Sequence, residues 1–95
     1  PERMRKYIGL YLESVNGALP RIEAALAAGD LEELRRVVHT VKPQFRMLGM
    51  EEVAQLAQHI ENQAKGEAEQ EGLPENVERL LGAMRESVAA MPDFL

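Results

Sequence analysis

The sequence has no cysteine and no tryptophan in 95 residues. Without a thiol there is no disulfide framework, no thiolate metal site and no cysteine nucleophile, and a reducing compartment is permitted. Aromatic residues are scarce, only Tyr7, Tyr11, Phe45 and Phe94, which favours aliphatic helix packing over an aromatic-rich β-sandwich. An excess of basic charge is also missing. Eleven Lys and Arg against sixteen Asp and Glu give a net charge of −5, which excludes nucleic-acid backbone binding as the main activity. No apolar run approaches the roughly 20 residues that would span a bilayer, and no charged-then-apolar leader opens the chain. A soluble, cytoplasmic protein is expected, with one domain over residues 1–95. Pro1 as first residue suggests a piece excised from a longer chain.

What the sequence does have is apolar residues at helical spacing. Met4, Ile8, Tyr11, Leu12, Val15, Leu19, Ile22 and Leu26 recur in threes and fours, predicting a helix over about 2–28. Pro20 lies inside that run with Gly17 just before it, so a kink or a split into two helices is expected near residues 16–20. Gly29 suits a helix end, and Asp30 followed by Glu33 resembles an N-cap with its partner three residues on. A second helix is expected from about Leu31 to Leu48, carrying Leu34, Val37, Val38, Val41, Phe45 and Leu48. A third runs from about Glu51 to Lys65 with Val53, Leu56, Ala57, Ile60 and Ala64, and Gly66 stops it. After the acidic loop between Gly66 and Pro74, a fourth spans about Glu75 to Met91 with Val77, Leu80, Leu81, Met84, Val88 and Met91 on one face. Four amphipathic helices with short connections predict an all-α, antiparallel up-down four-helix bundle.

The second helix carries the chemistry. With His39 at zero on a helical wheel, Arg35 falls at about −40°, Arg36 at +60°, Lys42 at −60° and Arg46 at −20°. The apolar set clusters opposite, so His39 is expected to face water among these four cations. From Arg35 to Arg46 the local charge is +4, against −9 for the remainder. An exposed imidazole is a nucleophile. Were it to accept a phosphoryl group, each cation about 6 Å away would contribute roughly 1 kcal/mol in water before salt screening. That tunes an equilibrium but does not drive chemistry, so activation has to come from a partner with its own metal and phosphoryl donor.

The run His39-Thr40-Val41-Lys42-Pro43-Gln44-Phe45-Arg46-Met47-Leu48-Gly49-Met50 resembles the signature of histidine-containing phosphotransfer (HPt) domains: His, two residues, Lys, usually Gly, then a Leu-Gly pair at the helix end. His39, Lys42, Leu48 and Gly49 match in identity and spacing. Ala24-Ala25-Leu26-Ala27-Ala28-Gly29-Asp30 is similar to that family's approach to its histidine helix, and Leu56 with Ile60-Glu61 fits the helix that follows. The likeness covers about residues 8–90. It implies a small four-helix bundle acting as a phosphorelay phosphocarrier in two-component signal transduction. By position, His39 is the phosphoacceptor that takes a phosphoryl group from a receiver aspartyl phosphate and passes it to another receiver aspartate. Lys42 is the residue beside the phosphate, and Arg35, Arg36 and Arg46 add electrostatic support. Met47 and Met50, near the rim of the basic face, are candidates for a docking surface with Pro43. Response-regulator receiver domains are the implied partners, with a hybrid sensor histidine kinase as a further candidate. The domain itself is expected to be monomeric, to bind no cofactor and to have no kinase or ATPase activity of its own, Mg²⁺ belonging to the receiver.

Other readings fit less well. The phosphoacceptor hairpin of sensor kinases places an acid directly after its histidine and a proline five residues on, whereas Thr40 and Pro43 stand here. A metal-binding bundle would need converging ligands, and His59, beside the apolar stripe of the third helix, reads as a boundary residue. The alternative is a non-catalytic helical adaptor that docks receivers with an inert His39. Gln44, at about +140°, is expected to point away from His39. Pro43 departs from the family, standing where Gly is usual. It is bulkier and cannot donate an N–H to the His39 carbonyl, so a local kink is expected. Pro43→Gly should change phosphotransfer rates with at least one receiver; unchanged rates with every receiver tried would exclude a role in partner choice.

Overall fold

The computed structural model describes residues 2–91. Its helices are α1 (Glu2–Ala28), α2 (Leu31–Met47), α3 (Glu51–Lys65) and α4 (Leu73–Ala90). Each helix packs against the next and α4 closes back on α1, forming the antiparallel bundle that the periodicity predicts.

Tight turns impose the antiparallel arrangement. At the first, Gly29 adopts φ 69°, and the Asp30 N–H reaches back to the Ala25 carbonyl at 2.9 Å, closing α1 in a Schellman motif. Asp30 then caps α2, its side chain accepting from the Glu33 N–H at 3.1 Å. The Glu33 carboxylate does not complete a capping box. It turns to Arg21 of α1 at 3.2 Å, tying the two helices together near this end. Gly49 (φ 73°) ends α2 in the same way, with the Met50 N–H on the Phe45 carbonyl at 2.9 Å.

The expected split of α1 does not occur: the helix is continuous through Pro20. Pro20 and Asn16 are both exposed, so the carbonyl that loses its partner, that of Asn16, can be hydrated. Buried Ala18 and Ile22 on either side hold the helix to the core. Pro43 likewise lies on the exposed face of α2, which runs unbroken from Leu31 to Met47. α4 begins two residues earlier than expected, at Leu73. Pro74 fits its first turn, where a missing N–H leaves no bond unmade.

The core is aliphatic, built on Val15, Ile22, Leu34, Val38, Ile60, Leu80, Leu81 and Met84. Tyr11 and Phe45 meet edge to face in its midst, with centroids 6.2 Å apart. Ser87 donates to the Met84 carbonyl at 2.7 Å, so Tyr11 is the donor in its 2.7 Å bond to Ser87 Oγ. Two apolar stripes are shifted from expectation. On α1, Ala18 and Ala25 are buried while Met4 is 51% exposed. On α3, Val53 and Leu56 are only half-buried, and the buried set is Ala54, Ala57, Ile60, Glu61 and Gln63. Apolar periodicity misses this face because two of its five buried residues are polar.

Gln63 shows why such a residue is tolerated. Its Nε2 donates to the backbone carbonyls of Glu69 (2.8 Å) and Glu71 (3.1 Å), and its Oε1 accepts from Asn76 Nδ2 at 3.1 Å. The acidic loop after α3 is thus wrapped around a satisfied buried amide. Gln63→Leu should cost about 2 kcal/mol in urea denaturation, since it strands the Asn76 donor and two carbonyls. It should also speed amide exchange in residues 67–72.

Candidate functional site

The site lies on the seam between α2 and α3. Small Ala54 and Ala57 on α3 are fully buried and let the helices approach closely. Glu61 is one turn beyond Ala57 on the same face and so enters the seam. The pairs His39–Glu61 and Lys42–Gln58 fix the antiparallel register of the two helices.

His39 is held at one nitrogen and open elsewhere. Its Nδ1 meets Glu61 Oε1 at 2.5 Å, and its side chain is 62% exposed. Facing a carboxylate, Nδ1 carries the proton, which leaves Nε2 of the neutral ring with its lone pair. Glu61 itself is 1% exposed. Its second oxygen, Oε2, accepts from Lys42 Nζ at 2.7 Å. Burial alone would raise the pKa of Glu61, but the hydrogen bonds from Lys42 and His39, together with the positive charge of Lys42, outweigh it and hold the carboxyl below its ordinary value. Lys42 also donates to Gln58 Oε1 at 2.7 Å, and Gln58 Nε2 donates to Asn62 Oδ1 at 3.0 Å. Every buried side-chain polar atom among the described residues has a partner.

The cationic face of the sequence reading is much reduced in the fold. Lys42, expected in the open beside His39, is 8% exposed and turned into the seam. On the wheel it sits only about 40° from Val38, and α3 covers that side. Arg36 is paired with Glu32 at 3.7 Å and Glu33 at 3.9 Å, and its backbone carbonyl accepts from Thr40 Oγ1 at 2.9 Å. Arg35 and Arg46 form no ion pair among the described residues. Arg46 is two turns from His39, about 10 Å along the axis. Lys65, one turn beyond Glu61 on α3, approaches Glu61 Oε1 at 3.8 Å. Linear spacing within α2 could not reveal Gln58 or Lys65, since both belong to the next helix. In the sequence Glu61 stands out only through its fit to the family pattern.

The other sequence candidates lie around this centre. Pro43 is exposed, Met47 is 59% exposed, and Met50 is half-buried against the core. Thr40 and Gln44 point the other way, into an open groove of about 540 Å³ between α1 and α2, lined also by Leu10, Ser14, Gly17 and Val41. His59 is exposed rather than at a boundary, because α3 is rotated from the orientation its apolar residues suggest. No helix among the described residues is long and apolar enough to cross a membrane.

This arrangement is an exposed imidazole on a small helical bundle, with one nitrogen held by a buried acid and the other without a partner among the described residues. The Hpt domain family model matches residues 6–91. The chain belongs to the Hpt domain family. No curated protein and no solved structure matches it. Membership in the Hpt family implies a role as a phosphorelay phosphocarrier in two-component signalling.

Removing the charge of Glu61 tests the centre's energetics. Glu61→Gln should cost about 3–5 kcal/mol at pH 7, because it strands the Lys42 ammonium in the seam. The depressed folded-state pKa sets the sign with pH: the carboxylate's contribution is complete above its unfolded value near 4.5 and fades as pH falls through the lower folded value. Urea denaturation of both proteins from pH 7 to pH 3 should show the gap constant down to about that value and closing below it.

Proposed function

We propose that His39 is the phosphoacceptor of this Hpt domain and exchanges phosphoryl groups with the aspartates of receiver domains. The observation that carries the reading is the divided state of the ring, with Nδ1 held by Glu61 at 2.5 Å and the side chain as a whole 62% exposed. Nε2 attacks the phosphorus of a receiver aspartyl phosphate in line, forming an N–P bond as the P–O bond to the carboxylate breaks. The aspartate leaves as a carboxylate and no proton has to move. The ring gains positive charge as the bond forms while keeping its Nδ1 proton, and the Glu61 carboxylate already faces that charge, so its stabilisation is present before reaction. Reversal of the same step hands the group to a second receiver.

In this reading Lys42 acts through Glu61. It keeps the carboxylate ionised and oriented inside the seam, which orients the imidazole in turn. The domain binds no cofactor, and the receiver contributes the acidic pocket and its Mg²⁺. Partner docking falls on the surface around the ring, with exposed Pro43, Arg46 and Met47 and half-buried Arg35 and Met50; Arg36 contributes while paired to Glu32 and Glu33. The setting for such exchange is the cytoplasm.

Incubation with a phosphorylated receiver should place acid-labile, base-stable label on the domain, and His39→Gln should abolish it. Label that persists in His39→Gln would exclude His39. A domain that binds several receivers and takes label from none would instead be an adaptor.

A further inference from the structure

The +4 face counted along α2 gives no direct account of what meets a phosphoryl group on His39. Lys42 is held in the seam by Glu61 and Gln58, both at 2.7 Å. Arg36 is turned toward Glu32 and Glu33, and Arg46 is two turns away. The ring lies in open solvent, and the nearby cations that remain come from the opposite direction, toward the N-terminal end of α2.

Two of them converge there. The register set by His39–Glu61 and Lys42–Gln58 places residues whose numbers add to 100 at the same level of the two helices. One turn from His39 and Glu61, that rule sets Arg35 opposite Lys65. Lys65 Nζ lies 3.8 Å from Glu61 Oε1, the oxygen that holds His39 Nδ1 at 2.5 Å. The shared oxygen therefore bounds the distance from Lys65 Nζ to Nδ1 at about 6 Å. The Lys65 side chain is 36% exposed, and its contact with Glu61 is looser than either hydrogen bond at that carboxylate. A lysine's flexible stem and point charge suit it to exchange one oxygen anion for another.

We propose that Lys65, with Arg35 beside it across the seam, binds the phosphoryl oxygens of phosphorylated His39. Phosphorylation puts nearly two negative charges one turn below this pair. Lys65 then leaves Glu61 for the phosphoryl group, while Lys42 stays on Glu61 and keeps the ring in place. The cation that holds the ring and the cations that hold the phosphate are different residues, on different sides of one carboxylate. Of the charged groups around the phosphate, Glu61 repels it and Lys65, Arg35 and Lys42 attract it, with Lys42 shielded behind Glu61.

The proposal rests on His39 as phosphoacceptor, and the test separates the two. The domain is phosphorylated with phosphoramidate, a small donor that needs no receiver, and the second ionisation of the phosphoryl group is followed by ³¹P NMR. A cation about 5 Å away should change that ionisation constant roughly fourfold in water. Lys65→Gln should weaken the ionisation by about this factor, Arg35→Gln should weaken it less, and Lys65→Arg should restore it. Melting curves of these surface variants should stay close to the parent's. If Lys65→Gln is phosphorylated and titrates like the parent, the proposal is overturned while the phosphoacceptor reading stands. A parent domain that takes no phosphoryl group on His39 overturns both.

Discussion

A single buried carboxylate organises the functional half of this bundle. Glu61 is almost wholly out of water and would be costly there alone. Its cost is offset by two short contacts, one to Lys42 and one to His39. These contacts run in both directions. They keep Glu61 ionised, and they also pin the lysine stem and the imidazole plane against the same helix. Removing Glu61 would therefore disturb a stability element and the exposed ring at once. A buried ion pair of this kind is weak grounds for stability in itself, but it is a strong means of holding an exposed side chain in one orientation.

Everything around the carboxylate serves its placement. Ala54 and Ala57 bring α3 close enough to α2 for a glutamate to bridge to both His39 and Lys42. The Gly49 turn keeps the two helices antiparallel and in register. Gln63, on another face of α3, binds the loop that leads into α4, so the helix bearing Glu61 is fixed at its far end too. Pro20 and Pro43 do not break the scaffold because both face water, where a carbonyl without a helical partner can be hydrated.

Charge is distributed in the fold differently from its distribution along the chain. Four cations in twelve residues suggest a positive platform. Once folded, Arg36 is answered by glutamates of its own helix and Lys42 by a glutamate of the next. What remains unpaired near the ring among the described residues is half-buried Arg35, with Lys65 supplied by α3. An acidic domain with one small cationic zone beside an open imidazole is suited to transient contact with an anionic group, and weak contact is what a carrier between two partners requires.

Much of this was legible from residue order. The threefold and fourfold apolar spacing specified four helices and their approximate limits, because a helix repeats its face every 3.6 residues whatever surrounds it. The spacing of His39, Lys42, Leu48 and Gly49 pointed to the Hpt family, and the wheel put His39 in water because the apolar stripe of α2 lies opposite. Residue order could not say which side of α2 would be covered by α3. That choice turned Lys42 from a surface cation into a buried one, rotated α3 so that Glu61 and Gln63 became interior, and brought Lys65 level with Arg35. Local periodicity is a property of one helix; the partners of a side chain at a helix edge depend on the neighbouring helix, its register and its distance, and only tertiary packing decides those.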